Sequence, residues 1–349
     1  MSIIVEGACK MDFIFLLIIF FIAFVSIKNQ DLDTQQLSIK TTSNLQVIAV
    51  IFVILHHLSQ VLQNYSDSFL SSRLIVAGRF SVGIFFFVSG YGLIKQYKKK
   101  GRVYLDTFLK RKVLSIFIPF LLAGIVYFIF RNLIGKLSLG DAFYSLINGS
   151  PVVSNGWFVI MIIFLYFAFF VSAFIARKND LLLTILLVTS TILVLVIAKY
   201  MHYGEWWTNA IFCFPLGVVW SINEKLILDF LFNKYKVSVM VLVVLFSGFF
   251  YLDEVFYHPV IRAFSVLFFV SIVILLSYRV TFQNPIFSYV KVISFELYLY
   301  QGLFIQLFRS NVLFIDNRLI YVCLVILATS ILAFLMYYVA NLFSFLNKG

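Results

Sequence analysis

A chain of 349 residues that is 62% hydrophobic and only 12% charged cannot hide its apolar surface in a water-soluble fold, since ordinary soluble domains carry about 25% charged residues. The net charge of +12 comes with no nucleic-acid motif and reads instead as membrane topology, because Lys and Arg gather in cytoplasmic loops. Cys9, Cys213 and Cys323 lie far apart without a CxxC or Cys/His cluster, so neither a disulfide framework nor a metal site is expected.

In chain order the first apolar segment covers 13–27, flanked by Lys10 and Lys28. It is short for a span, which needs roughly 17–25 apolar residues. Ser26-Ile27-Lys28-Asn29 is a poor cleavage site for a signal peptide, so a retained helix is expected, with Met11 an alternative start. Ten further spans follow at about 45–62, 80–95, 113–130, 157–176, 181–198, 208–222, 237–252, 260–278, 293–308 and 319–344. The expected fold is all-α: a polytopic transmembrane bundle of ten core helices plus one N-terminal helix. Residues 1–40 form the N-terminal segment and linker, and 41–349 the membrane domain. No large polar stretch provides a separate soluble domain, so any chemistry belongs within the membrane or at its edge.

The linker from Lys95 to Lys112 carries eight basic residues against Asp106 alone. Placing it in the cytoplasm puts about 18 of the 27 basic residues inside under strict alternation, against about 9 in the reverse orientation. The expectation is a multi-pass protein of the cytoplasmic membrane with a cytoplasmic C-terminus. Asn64-Tyr65-Ser66 and Asn148-Gly149-Ser150 match glycosylation sequons, but matches so short carry no weight.

Polar residues inside spans cost roughly 2.5–3.5 kcal/mol each when ionisable, so they mark function or interhelical contact. In the span Leu45–His57, Gln46 and His57 are separated by eleven positions. At about 100° per residue they share a face, roughly 16 Å apart along the axis; Gln60 and Asn64 extend the stripe. Imidazole suits a general base, whereas the plainer reading is an interhelical hydrogen bond. Of the pair His56-His57, at least one is expected to be structural. Gly83, Ser89, Gly90 and Gly92 allow close helix packing. Asn155-Gly156-Trp157-Phe158 opens a span that contains Tyr166. Ser294, Tyr298 and Gln301 fall at i, i+4 and i+7 on one face, with the carboxylate Glu296 nearby, placed either to pair with a basic group, to orient His57, or to sit at the headgroup boundary.

These residues together resemble the acyltransferase-3 family of membrane acyltransferases, of the surface-polysaccharide O-acetyltransferase type. Leu45–Leu58 is similar to the family's first core helix, in which an Arg precedes a His by eleven residues. VGIFFFVSGYGL at 82–93 resembles its FF-x-x-SG-Y helix and is the most specific match. Phe108–Val113 followed by Pro119, Gly156-Trp157-Phe158 with Tyr166, Phe214-Pro215-Leu216-Gly217 and ISFELYLYQGL at 293–303 match further motifs in family order. Two departures stand out: Gln46 where the family usually has Arg, and Gln301 where it often has His.

The resemblance implies transfer of an acyl group, most often acetyl, from cytoplasmic acyl-CoA to a hydroxyl of a cell-surface polysaccharide or lipid-linked sugar. Acetyl-CoA is then a substrate, and no permanently bound cofactor is expected. It further implies His57 as catalytic base; Gln46, Lys110 and Arg111 at the donor; and Trp157, Tyr166, Ser294, Glu296, Tyr298 and Gln301 around the acceptor or in support. Expected partners are membrane lipids and other glycan-synthesis proteins, not nucleic acid. Two other readings stay open: a glycan or small-molecule transporter or flippase, whose permeation path would be the polar stripe, and a non-catalytic family member in a glycan-synthesis complex.

Overall fold

The computed structural model describes residues 27–29, 37–62, 74–133, 137–148, 150–282 and 284–346. Residues 13–26 of the expected helix at 13–27 and the Asn64 end of the polar stripe, with its sequon, lie outside these residues, while Ile27 is in a strand; the sequon at 148–150 includes one residue outside them. The described chain is helical: α1 Ile39–Leu62, α2 Ala77–Lys100, α3 Arg102–Asp106, a π-helical turn Leu109–Val113 running into α4 Leu114–Leu133, α5 Leu139–Ile147, α6 Trp157–Ala176, α7 Asp180–Tyr200, α8 Cys213–Ile222, α9 Glu224–Phe256, α10 Pro259–Leu276, α11 Pro285–Val292, α12 Ser294–Leu307 and α13 Arg318–Leu346. One small antiparallel ribbon pairs β1 Ile27–Asn29 with β2 Val280–Phe282, with Lys28 opposite Thr281.

Among the described residues, eight helices are long and apolar enough to cross a bilayer: Ile39–Leu62, Ala77–Lys100, Leu109–Leu133, Trp157–Ala176, Asp180–Tyr200, Asn233–Phe256, Pro259–Leu276 and Arg318–Phe343. The other two expected core spans are shorter than the sequence suggested. α8 has 10 residues and α12 has 14, or about 15 and 21 Å at 1.5 Å per residue, against a hydrocarbon core of about 30 Å. The reason is burial. Residues 208–212, expected to be helical, are turns, and Asn209 and Ala210 there line a cavity, where non-helical backbone at membrane depth is tolerated. Every residue of α12 from Glu296 to Leu303 is buried, so protein rather than lipid sets its length. α9 bends at Lys234, whose φ of −122° and ψ of 17° leave the helical region, and its membrane-crossing part begins at Asn233.

The core forms where α2 meets α8, and glycines set the distance. A Cβ on Gly90 would lie 2.2 Å from the carbonyl oxygen of Phe214, and one on Gly217 would lie 2.1 Å from that of Phe87. The two backbones therefore touch reciprocally, the contact that small residues permit between membrane helices. Phe87 stacks edge-on against Trp220 and Tyr166 packs on Phe214 around this seam.

A buried carboxylate ties the helix ends together beside it. Glu224 Oε1 accepts from the Tyr91 hydroxyl at 2.7 Å, the Tyr278 hydroxyl at 2.8 Å and the backbone N–H of Leu37 at 3.0 Å. Its Oε2 lies 2.9 Å from Lys95 Nζ, and the indole N–H of Trp220 donates to Tyr278. One 3%-exposed glutamate thus joins the lead-in to α1 with α2, α9 and the segment after α10. A buried charge is tolerable when paired and hydrogen-bonded like this.

Two outcomes are expected. Gly217→Ala drives a methyl into backbone and lowers the thermal unfolding midpoint in detergent, at a cost of about 1–3 kcal/mol; an unchanged midpoint would show that the seam is not close-packed. Glu224→Gln removes the buried charge that Tyr91, Tyr278, the Leu37 N–H and Lys95 share and costs about 3–5 kcal/mol, read in the same experiment; the double variant with Lys95→Met recovers part of that loss.

Candidate active site

His57 sits in the last turns of α1, where the apolar run that makes the helix gives way to His56, His57, Ser59 and Gln60. Its Nδ1 is 3.0 Å from Gln60 Oε1, one helical turn on. An amide oxygen only accepts, so Nδ1 carries the proton and Nε2 keeps the free lone pair. The neighbouring ring of His56, its centroid 4.7 Å away, lies against Gly78, where a Cβ would collide with it at 2.4 Å. His56 packs on Gly78 and also lines the same cavity as His57.

His57 lines a cavity of about 500 Å³ with Gln60, Asn155, Trp157, Asn209 and Tyr298. Two guanidinium groups complete its wall. Arg79, in the first turn of α2, and Arg262, in the first turn of α10, both line it and share one carboxylate. Arg79 Nη1 is 2.5 Å from Asp253 Oδ2, and Arg262 Nε is 3.1 and 3.2 Å from the two Asp253 oxygens. Arg262 Nη1 also reaches Glu205 Oε2 at 2.6 Å. Sequence reasoning missed this cluster. Charges at span ends read as topology signals, and nothing local says that Arg79 and Asp253 meet across 174 positions. The available signal was the pair of adjacent carboxylates Asp253-Glu254, directly after an apolar run.

Gln46 lies in a second cavity of about 160 Å³, with Ser89, Phe158, Tyr166, Ser294 and Tyr298. Tyr298 is therefore the wall between the two cavities. Its hydroxyl donates to the backbone oxygen of Asn155 at 2.5 Å, and its ring meets the edge of Phe158 at 5.3 Å. Asn155 holds a left-handed φ of 63°, a conformation Asn adopts more readily than most residues.

Lys110 and Arg111 lie in a third cavity of about 1010 Å³, with Pro119, Lys291, Ser294 and Glu296. Ser294 and Phe295 belong to both this cavity and the second. The three cavities thus stand in series, from the basic linker past Ser294 to Gln46, then past Tyr298 to His57. Glu296 is on the basic side, away from the His57 cavity, and enters no ion pair among the described residues. Gln301 is fully buried, donates to the carbonyl of Tyr298 in its own helix at 3.3 Å and lines none of the three cavities. The face that Ser294, Tyr298 and Gln301 share in sequence is split accordingly: the first two border the series and the third packs.

A family model described as an acyltransferase domain matches residues 43–338, most of the chain. The chain belongs to the acyltransferase-3 family. No curated protein and no solved structure matches it. As a membrane acyltransferase of this family, it carries Gln46 in the middle cavity, and Arg79 and Arg262 line the cavity of His57.

The tautomer is open to test. With 15N-labelled histidine, the protein in lipid should show His57 protonated at Nδ1 at neutral pH, and Gln60→Ala should shift it toward the Nε2–H form. An Nε2–H signal in the unsubstituted protein would contradict the assignment.

Proposed function

We propose that this acyltransferase moves an acetyl or similar acyl group from cytoplasmic acyl-CoA to a hydroxyl of a cell-surface polysaccharide or lipid-linked glycan. The observation that carries this reading is the series of three cavities, with Lys110, Arg111 and Lys291 at one end and His57 at the other. The positive-inside rule supports placing the Lys110–Arg111 end in the cytoplasm, with the C-terminus beside it, in the cytoplasmic membrane.

In this scheme Lys110, Arg111 and Lys291 gather the donor's phosphates; Arg111 supplies forked hydrogen bonds and the lysines point charges. The acyl-bearing arm passes Ser294 and enters the middle cavity, where Gln46 and Tyr166 offer hydrogen bonds. Gln46 is uncharged where the family usually has Arg, so it orients the arm without holding a phosphate. The acceptor enters the opposite cavity, where Trp157 offers an aromatic face. His57 Nε2 takes the proton from the acceptor hydroxyl as its oxygen attacks the thioester carbonyl carbon. A C–O bond forms, the C–S bond breaks, and the imidazolium returns the proton to the departing thiolate. Tyr298 stands where donor and acceptor meet. Membrane lipids surround the exposed outer helix faces, and glycan-synthesis proteins deliver or receive the acceptor.

The test is transfer of radiolabelled acetyl from acetyl-CoA to glycan in membranes. His57→Ala should lower it by about 10²–10⁴-fold; equal acylation by both proteins would overturn the mechanism. Replacing Lys110 and Arg111 together by Ala should raise KM for acetyl-CoA with little change in kcat. A fall in kcat at constant KM would contradict donor docking at that end.

A further inference from the structure

The acyl-transfer scheme leaves Arg79 and Arg262 without a part, yet both line the cavity that holds His57. Arg79 is held rigidly. Nη1 is fixed by Asp253, and the guanidinium lies over the rings of Phe80 and Phe250, 5.1 and 5.5 Å from their centroids. Its Nε and Nη2 are buried and have no hydrogen-bond partner. These two nitrogens form one edge of the planar group, the edge that takes a carboxylate or phosphate in two parallel hydrogen bonds. Buried donors of a charged group are rarely left unmade, and each exception calls for an explanation such as a ligand. Arg262 adds to this: Nε and Nη1 are occupied, and Nη2 donates to none of the described residues.

The charge balance favours an anion. Arg79 and Arg262 have side chains only 14% and 16% exposed and share a single buried carboxylate, Asp253, at 2%. Two further carboxylates stand near, Glu205, which is 53% exposed, and the exposed Glu254, so solvent and salt screen both. The buried part of the cluster is therefore one positive charge in excess. A purely structural clamp would need neither a spare guanidinium edge nor a second cation.

We propose that the His57 cavity selects an acceptor that carries an anionic group, a carboxylate or a phosphate, beside the hydroxyl to be acylated. Arg79 and Arg262, which both line the cavity, supply the charge that holds that group, and a turn of the Arg79 side chain that opens its unpaired Nε–Nη2 edge lets it bind in two parallel hydrogen bonds. This rests on the acyltransferase reading for the reaction, but the binding preference stands without it. Asp253 is a positioning residue that holds both guanidinium groups at the cavity wall.

The test uses the full-length protein purified in detergent, with no acyl donor. Quenching of tryptophan fluorescence (Trp157 and Trp206 line the cavity) reports binding of glucuronate, glucose 1-phosphate and neutral glucose. Wild type should bind at least one anionic sugar roughly tenfold more tightly than glucose, and which one identifies the group as carboxylate or phosphate. Arg79→Gln should erase the difference, and Arg79→Lys, which keeps the charge without the fork, should retain part of it. Thermal unfolding shows whether Arg79→Gln is folded; if it is not, Arg79→Met, which fills the same space without charge and leaves Asp253 paired with Arg262, serves instead. Equal affinities in wild type, no binding of any sugar, or a preference that survives loss of Arg79 would overturn the proposal. The same samples are assayed for acetyl transfer to each sugar. Charge preference without transfer supports this subsite and counts against the acyltransferase reading; transfer without charge preference does the reverse.

Discussion

A bilayer offers a buried polar group no hydrogen-bond partner, so each such group in this protein must find one within the chain or face a cavity. That constraint organises the molecule. Glu224 meets it with two tyrosines, a lysine and a backbone N–H. Asp253 meets it with two arginines. Both arrangements sit at helix ends, where elements distant in sequence converge, and both work by cross-linking those ends. Between them, the close approach of α2 and α8 through Gly90 and Gly217 leaves no room for a polar side chain. The cavities lie beside α1, α2, α6 and α12, and the segment before α8 and the start of α10 help to line that of His57.

The same constraint explains why the interior is divided. One open channel across the bundle would leak. Three cavities meet at shared residues, Ser294–Phe295 and Tyr298, rather than forming one. Gln46 and His57, roughly 16 Å apart along one helix, occupy different cavities for this reason. A histidine whose Nδ1 proton is held by Gln60 presents its basic nitrogen in only one of them. Charge is distributed likewise: Lys110, Arg111 and Lys291 at one end, Arg79 and Arg262 at the other, and an uncharged amide between.

Much of this was legible in the sequence. Eight of the ten expected core spans appear as long apolar helices, because an unbroken apolar run facing lipid has no alternative to helix. The two that fell short, at 208–222 and 293–308, lie inside the bundle, and protein surroundings relax the length that lipid imposes. The distinction between Ser294–Tyr298 and Gln301 was invisible for a related reason: helical periodicity tells which residues share a face but not what covers that face along its length. The Arg79–Asp253–Arg262 cluster was least legible, since it is made by tertiary contacts among residues that each resemble an ordinary helix-end charge.

The central claim is that donor and acceptor meet across Tyr298 from opposite ends of one cavity series. It is tested most directly by a cryo-electron microscopy structure of the protein with a non-hydrolysable acyl-CoA analogue. The account predicts phosphate density against Lys110 and Arg111, with the acyl arm running past Ser294 and Gln46 so that its carbonyl lies at Tyr298, facing His57. Phosphate density in the Arg79–Arg262 cavity, with the Lys110–Arg111 cavity empty, would contradict it.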